Sequence, residues 1–113
     1  MTKIKFFKNK DNLVGVECSG HTGYADFGKD VLCATLSGLV QSCYLGLKKV
    51  IGIKIDCSRD DDNGYIKYEL PLDIESEKLS KSQILLETLK ASIEDLIEGY
   101  SKYISMEVIE YVY

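Results

Sequence analysis

The only histidine of the chain and one of its four cysteines have the residue types and spacing of a nucleophilic pair. His21 lies in a glycine-rich stretch, and Cys33 follows twelve positions later. An imidazole beside a thiol stabilises the thiolate, which is the form that attacks a carbonyl carbon. The pair therefore predicts acyl-transfer chemistry, provided that the fold brings the two side chains together.

The residues around Cys33 predict the start of a helix. Apolar residues recur in steps of three and four over residues 31–50, and Asp30 just before them is the expected N-cap. Cys33 then lies in the first turn, where unpaired backbone amides and the helix dipole stabilise a thiolate and could hold an oxyanion. Asp30 and Asp26 could also orient the pair. Ser37, one turn later, is either a packing residue or a polar site contact.

The stretch from Gly20 to Gly28 predicts a substrate-binding loop. Gly20, Gly23 and Gly28 let the backbone approach a bound peptide closely, because they carry no side chain. Tyr24 and Phe27 either contact apolar substrate side chains or anchor the loop to the core. We expect the loop to be flexible without substrate and to become ordered when substrate binds.

The same loop also resembles a phosphate-binding motif, but at the decisive position it departs from it. Gly23, Gly28 and Lys29 have the right spacing. Asp30, however, replaces the hydroxyl residue that would bind Mg²⁺, and it adds negative charge beside the phosphates. Phosphate binding is therefore disfavoured.

The four cysteines do not have the spacing of a metal site. Zinc ligation by Cys18, His21, Cys33 and Cys43 would require an irregular ligand pattern, so we expect neither a metal nor another cofactor. Cys18, Cys43 and Cys57 fall on apolar faces and are expected to fill the core. Cys33 alone also has an ordinary structural explanation, as a small core residue near a helix start.

Length and composition predict one domain over residues 1–113. The 113 residues fall below the ~150 that a domain commonly has, and a hydrophobic fraction of 45% excludes general disorder. A net charge of −4 argues against direct binding of nucleic acid. The chain lacks a signal-peptide pattern and a run of ~18 apolar residues, so we expect a cytoplasmic protein with reduced thiols and no membrane contact.

Hydrophobic periodicity predicts an α+β fold with the element order ββαββαβ. Alternating apolar residues indicate five strands, around residues 4–6, 14–18, 51–57, 66–72 and 103–113. Two helices are expected, one over residues 31–50 and one that begins near Ser80, where Ser80 and Gln83 have the spacing of a capping box. Because most of these strands connect by hairpins, we expect two helices packed on a mainly antiparallel sheet.

The motif residues resemble the signature of the bacterial ribosomal-processing cysteine proteases, usually called Prp. The resemblance rests on Gly20-His21, Gly23, Gly28, the Asp30-Val31-Leu32-Cys33-Ala34 run and Ser37, and on the acidic Asp-Asp-Asn-Gly turn that ends at Gly64. It spans nearly the whole chain.

The resemblance implies a function and the residues that perform it. It implies Cys33 as nucleophile, His21 as base, Asp30 and Ser37 as supporting site positions, and the glycine-rich loop as a mobile cover over the substrate. It implies a homodimer that removes a short N-terminal extension from the precursor of large-subunit ribosomal protein twenty-seven. The alternative is a non-catalytic dimeric module that binds a ribosomal protein or RNA and has no need of the thiol.

Overall fold

A computed structural model of the protein describes residues 1–21 and 30–111. Within these residues the chain forms five strands and two helices in the predicted order. The elements are β1 (Thr2–Asn9), β2 (Asn12–Ser19), α1 (Val31–Leu45), β3 (Asp56–Asp60), β4 (Tyr65–Glu69), α2 (Ser76–Tyr100) and β5 (Ile104–Glu110). Helix α1 continues as a wider π-helical segment, Gly46–Ile51.

The strands form one sheet in the order β3-β4-β2-β1-β5. Strand β1 pairs antiparallel with β2 and parallel with β5, and β4 pairs antiparallel with both β2 and β3. The prediction of an α+β fold with two helices on a mainly antiparallel sheet is confirmed.

The core lies between one face of the sheet and the two helices. Alternate strand residues point towards the helices, as the period-two pattern requires. The sheet contributes Ile4, Phe6, Val16 and Tyr68, and the helices contribute Leu36, Val40, Leu86 and Ile93, all at most 1% exposed. The hydroxyl of Tyr68 donates to the backbone carbonyl of Val40 at 2.8 Å, so this contact fixes α1 on the sheet through a fully buried hydrogen bond.

The helical segment Val31–Ile51 is long and apolar enough to cross a membrane by length and composition alone. Leu36, Val40 and Leu47 on this segment are fully buried against the sheet. A core helix passes the same test of length and composition, and one face of this segment is buried in the core.

The third strand lies further along the chain than the alternation predicts, at Asp56–Asp60, and the fourth is shorter. Ile51 ends the π-helical segment, and Ile53 is buried in the core although its chain segment pairs with no strand, so β3 begins only at Asp56. Strand β4 ends at Glu69, three residues before the predicted end. Residues 51–55 alternate between partly or fully buried positions and exposed positions but do not pair with a strand. The apolar pattern therefore predicted strand residues there, because it reports burial and not hydrogen-bonded pairing.

The predicted start of the second helix is wrong. Helix α2 begins at Ser76 with Glu75 as its N-cap residue, so Ser80 lies inside the helix. Gln83 serves another purpose, since its amide accepts from the backbone nitrogen of Leu13 and donates to the Leu13 carbonyl, both at 2.8 Å. This side chain therefore ties α2 to the start of β2.

Candidate active site

A cleft of about 480 Å³ lies where the end of β2, the first turns of α1 and the β3–β4 turn meet. His21, Cys33, Asp30, Ser37 and Gly20, all predicted from sequence, line it. The fold thus brings five candidate residues from two segments, the end of β2 and the start of α1, into one cavity.

Cys33 is held in the first turn of α1 by its N-cap. The Asp30 carboxylate accepts from the Cys33 backbone nitrogen at 2.9 Å, and the Asp30 carbonyl accepts from the Ala34 nitrogen at 3.1 Å. The predicted N-cap is confirmed. Both amides are already bonded to Asp30, so the expectation that amides beside Cys33 are unpaired is wrong for these two. The helix N-terminus still favours negative charge on the sulfur.

The thiol and the imidazole face each other across the cleft. Cys33 Sγ lies 3.8 Å from His21 Nδ1, within the reach of a hydrogen bond to sulfur. Both residues are half-buried, so the pair is shielded and still accessible from the cleft. This arrangement can transfer a proton from sulfur to the ring and leave a nucleophilic thiolate.

Two glycines set the position of His21. Gly20 has φ +89°, and an added Cβ there would lie 2.7 Å from the Met1 carbonyl oxygen. Its nitrogen donates to the Gly64 carbonyl at 3.0 Å. Gly64 has φ +62°, and a Cβ on it would lie 3.0 Å from His21 Cε1. The backbone before His21 and the turn that packs against its ring can therefore approach so closely because Gly20 and Gly64 carry no side chain.

Gly64 is a site residue that the sequence did not identify as one. The Asn63-Gly64 pair indicated only a turn between two strands. Its contact with His21 joins positions that are far apart in sequence, and no local pattern reveals such a contact.

The floor of the cleft is mainly apolar. Cys18, Leu36, Val40 and Ile66 line it. Burial and, to a smaller extent, the charge of nearby Cys33 together raise the pKa of the Cys18 thiol to about 11. Cys18 therefore remains a neutral thiol at pH 7, which agrees with its predicted role as a core residue.

Ser37 and a salt bridge lie at the edge of the cleft. The Ser37 hydroxyl is exposed and accepts from Gln41 Nε2 at 2.6 Å, so Ser37 is a polar group at the site and not a packing residue. Arg59 and Asp61, which the sequence did not single out, pair with each other at the rim.

Four predicted loop residues, Gly23, Tyr24, Phe27 and Gly28, lie outside the described residues, as does Asp26. Their roles stay predictions. Within residues 1–21 and 30–111, no three His, Cys, Asp or Glu side chains are grouped so that they could hold a metal ion.

Two sequence comparisons with known proteins point to the same family. A sequence model described as cysteine protease Prp matches residues 1–105. The ribosomal processing cysteine protease Prp of Bacillus subtilis (strain 168) is 26% identical over 88 residues, which cover 78% of this chain and 79% of that protein.

Two solved structures share the fold. The SMU.848 protein of Streptococcus mutans is 27% identical, with a TM-score of 0.84 over 98% of this chain and 96% of that one. The essential ribosomal processing protease Prp of S. aureus, solved with a covalently linked product peptide, is 20% identical, with a TM-score of 0.84 over 96% of this chain and 99% of that one.

Proposed function

This chain belongs to the cysteine protease Prp family and is a cysteine protease, and from that premise we propose that it cleaves the precursor of large-subunit ribosomal protein twenty-seven. In this proposal Cys33 is the nucleophile and His21 the general base. The observation that carries it is the 3.8 Å distance between Cys33 Sγ and His21 Nδ1 inside a cleft at a helix N-terminus.

A ribosomal protein is the substrate class that the relatives support. The Bacillus subtilis relative is named a ribosomal processing protease, and the S. aureus protease was solved with a substrate peptide. The net charge of −4 suits a basic ribosomal protein.

The proposed reaction is acyl transfer through a thioester. His21 takes the proton of Cys33, and the thiolate attacks the carbonyl carbon of the scissile bond, forming the C–S bond and an oxyanion. The oxyanion collapses, the C–N bond breaks, and His21 gives its proton to the leaving amine. His21 then deprotonates a water molecule that attacks the thioester and releases the acid and the thiol.

The other predicted positions take supporting roles in this proposal. Asp30 and Ser37 complete the site around Cys33. The loop residues Gly20, Gly23, Tyr24, Phe27 and Gly28 bind substrate, and closure of this loop over the peptide gives specificity. The apolar cleft floor takes an apolar substrate side chain.

We also propose the setting in which the protease works. It acts as a cytoplasmic homodimer, with one domain over residues 1–113, and needs no cofactor. It contacts the ribosomal protein and neither nucleic acid nor a membrane.

Incubation with the extended ribosomal protein tests the proposal directly, with the product masses as the readout. We expect one cleavage near the N-terminus. Cys33→Ala and His21→Ala should each reduce turnover to background while the far-ultraviolet circular dichroism stays unchanged. Cys57→Ala is the matched control, because Cys57 lies outside the cleft and should keep full activity.

Two results would contradict the proposal. Appreciable cleavage by Cys33→Ala would exclude this nucleophile. Tight binding of the precursor without cleavage would instead favour the non-catalytic binding module.

A further inference from the structure

Thr2 is a buried polar residue in the wall of the cleft. It begins β1 and points to the same face of the sheet as Ile4 and Phe6, towards the helices. Its side chain is 2% exposed, and its backbone nitrogen donates to the Tyr103 carbonyl at 2.9 Å. Its hydroxyl has no hydrogen-bond partner within the described part of the chain.

A buried hydroxyl without a partner is unfavourable, and native proteins contain few of them. Valine has nearly the same shape and would fill this position without that cost. Strand β1 and its pairing with β5 do not need the hydroxyl, and none of the described residues is its hydrogen-bond partner, so a molecule bound in the cleft is a candidate partner.

Thr2 lies directly behind the segment that carries the histidine. A Cβ added to Gly20 would lie 3.9 Å from Thr2 Cα, and Gly20 is the residue before His21. Thr2, His21 and Cys33 all line the same cleft. Cys18, Leu36, Val40 and Ile66 make the floor of the cleft mainly apolar, and the Thr2 hydroxyl adds a hydrogen-bonding group to its wall.

We propose that Thr2 is a substrate-binding residue whose hydroxyl, buried in the free protein, turns into the cleft when a peptide binds and donates a hydrogen bond to one of its backbone carbonyl oxygens. This inference rests on the proposed function, because it requires a peptide beside Cys33. A backbone carbonyl oxygen is a suitable acceptor because every residue of an extended peptide has one. The mainly apolar floor of the cleft offers such an oxygen few other donors.

Two variants separate the hydroxyl from the shape of the side chain. Thr2→Val removes only the hydroxyl, whereas Thr2→Ser keeps it and removes the methyl group. We expect Thr2→Val to lower kcat/KM about tenfold, mainly through KM, because the bond forms on substrate binding and persists in the transition state. The same variant should raise the melting temperature of the free protein or leave it unchanged. Thr2→Ser should keep kcat/KM within about threefold of the unsubstituted protein.

A second measurement does not depend on cleavage. In the Cys33→Ala background, Thr2→Val should raise the calorimetric Kd of a peptide spanning the precursor's cleavage region about tenfold. Mass spectrometry of the intact proteins must show that Met1 is either retained in all variants or removed from all of them. Its carbonyl lies against Gly20, so a difference at Met1 would change the cleft.

The outcomes separate the two proposals. Unchanged kcat/KM and Kd in Thr2→Val would overturn the role of Thr2 while the protease function stands. Equal losses in Thr2→Val and Thr2→Ser would also overturn it, because they would indicate a role in packing. A hydroxyl-dependent Kd without any cleavage would support Thr2 and overturn the proposed reaction. A peptide that neither binds nor reacts would overturn both.

Discussion

Gly64 lies so close to the imidazole of His21 that a methyl group on Gly64 would require the ring to shift by a few tenths of an ångström. A Cβ on Gly64 would be 3.0 Å from His21 Cε1, 3.2 Å from Nε2 and 3.0 Å from the Gly20 carbonyl oxygen. The turn after β3 thus packs against the imidazole ring whose Nδ1 lies 3.8 Å from Cys33 Sγ.

We therefore predict that Gly64→Ala impairs catalysis more than stability. The positive φ of Gly64 makes alanine unfavourable by about 1–2 kcal/mol, and the new methyl group displaces His21 from Cys33. A loss of about 100-fold in kcat/KM is expected, as for other small displacements of catalytic groups. Peptide cleavage and urea unfolding measure the two effects.

Gly99→Ala is the matched control for this prediction. Gly99 lies in α2, away from the cleft, and nothing lies within 4 Å of an added Cβ. Alanine there should stabilise the helix by up to about 1 kcal/mol and leave kcat/KM unchanged. Full activity in Gly64→Ala would show that His21 does not need this support.

A second prediction concerns the reactivity of the thiols. Iodoacetamide at pH 6 should label Cys33 first, because its sulfur lies beside His21 at a helix N-terminus. Burial raises the pKa of Cys18 and Cys43, and it raises that of Cys57 as well, so these three stay protonated. Peptide mapping of the labelled protein gives the rate at each site. His21→Ala should remove the preference for Cys33, and four equally slow thiols would argue against an activated nucleophile.

The sequence was most informative where structure depends on neighbours in the chain. The β1–β2 hairpin, the order of the elements and the Asp30 cap all follow from patterns within about ten residues, and the structure confirms them. The approach of Cys33 to His21 was also expected, because the motif joins a strand end to a helix start through one short loop.

The parts that sequence did not reveal depend on contacts between distant segments. Gly64 supports His21 from another turn, and Thr2 joins the cleft from the start of the first strand. Gln83 looked like a capping residue but bonds to Leu13, seventy positions away. Each residue type is also common in a local role: glycine in a turn, threonine in a strand and glutamine in a helix cap. Only the packing of β1, of the turn before β4 and of α2 shows which distant residue each one contacts.

The Gln83 contact gives a third prediction. Gln83→Ala removes two hydrogen bonds and leaves the partly buried nitrogen and carbonyl of Leu13 without these partners. We expect a loss of about 1–3 kcal/mol in the free energy of unfolding, with kcat/KM unchanged because the contact is remote from the cleft. Lys81→Ala on the exposed face of α2 should cost less than about 0.5 kcal/mol. Equal effects of the two variants would mean that the Gln83 bonds contribute little.

A fourth prediction follows from the buried thiol of Cys18. Burial raises its pKa from an ordinary 9.0 to about 11 in the folded protein. Below pH 9 the thiol is protonated in both states and its full contribution to stability is present. Between pH 9 and pH 11 only the unfolded chain loses the proton, so stability falls as the pH rises.

Comparison with Cys18→Ala isolates this effect from other groups that titrate at high pH. The difference in unfolding free energy between the two proteins should narrow by up to about 3 kcal/mol between pH 8 and pH 11. Urea unfolding at several pH values measures it. A difference that is constant with pH would show that the folded protein does not hold Cys18 in its neutral form.

The last prediction separates the two roles of Asp30. As the N-cap its carboxylate accepts from the Cys33 nitrogen, and asparagine accepts such a bond about as well. Asp30→Asn should therefore change the free energy of unfolding by less than about 0.5 kcal/mol, whereas Asp30→Ala should cost about 1 kcal/mol. Asp30 also lines the cleft with His21, and in the proposed reaction its negative charge would stabilise the positive ring that forms when His21 takes the proton of Cys33. Asp30→Asn should thus lower kcat about tenfold or more at unchanged stability. Small and equal effects on rate and stability would leave Asp30 with the capping role alone.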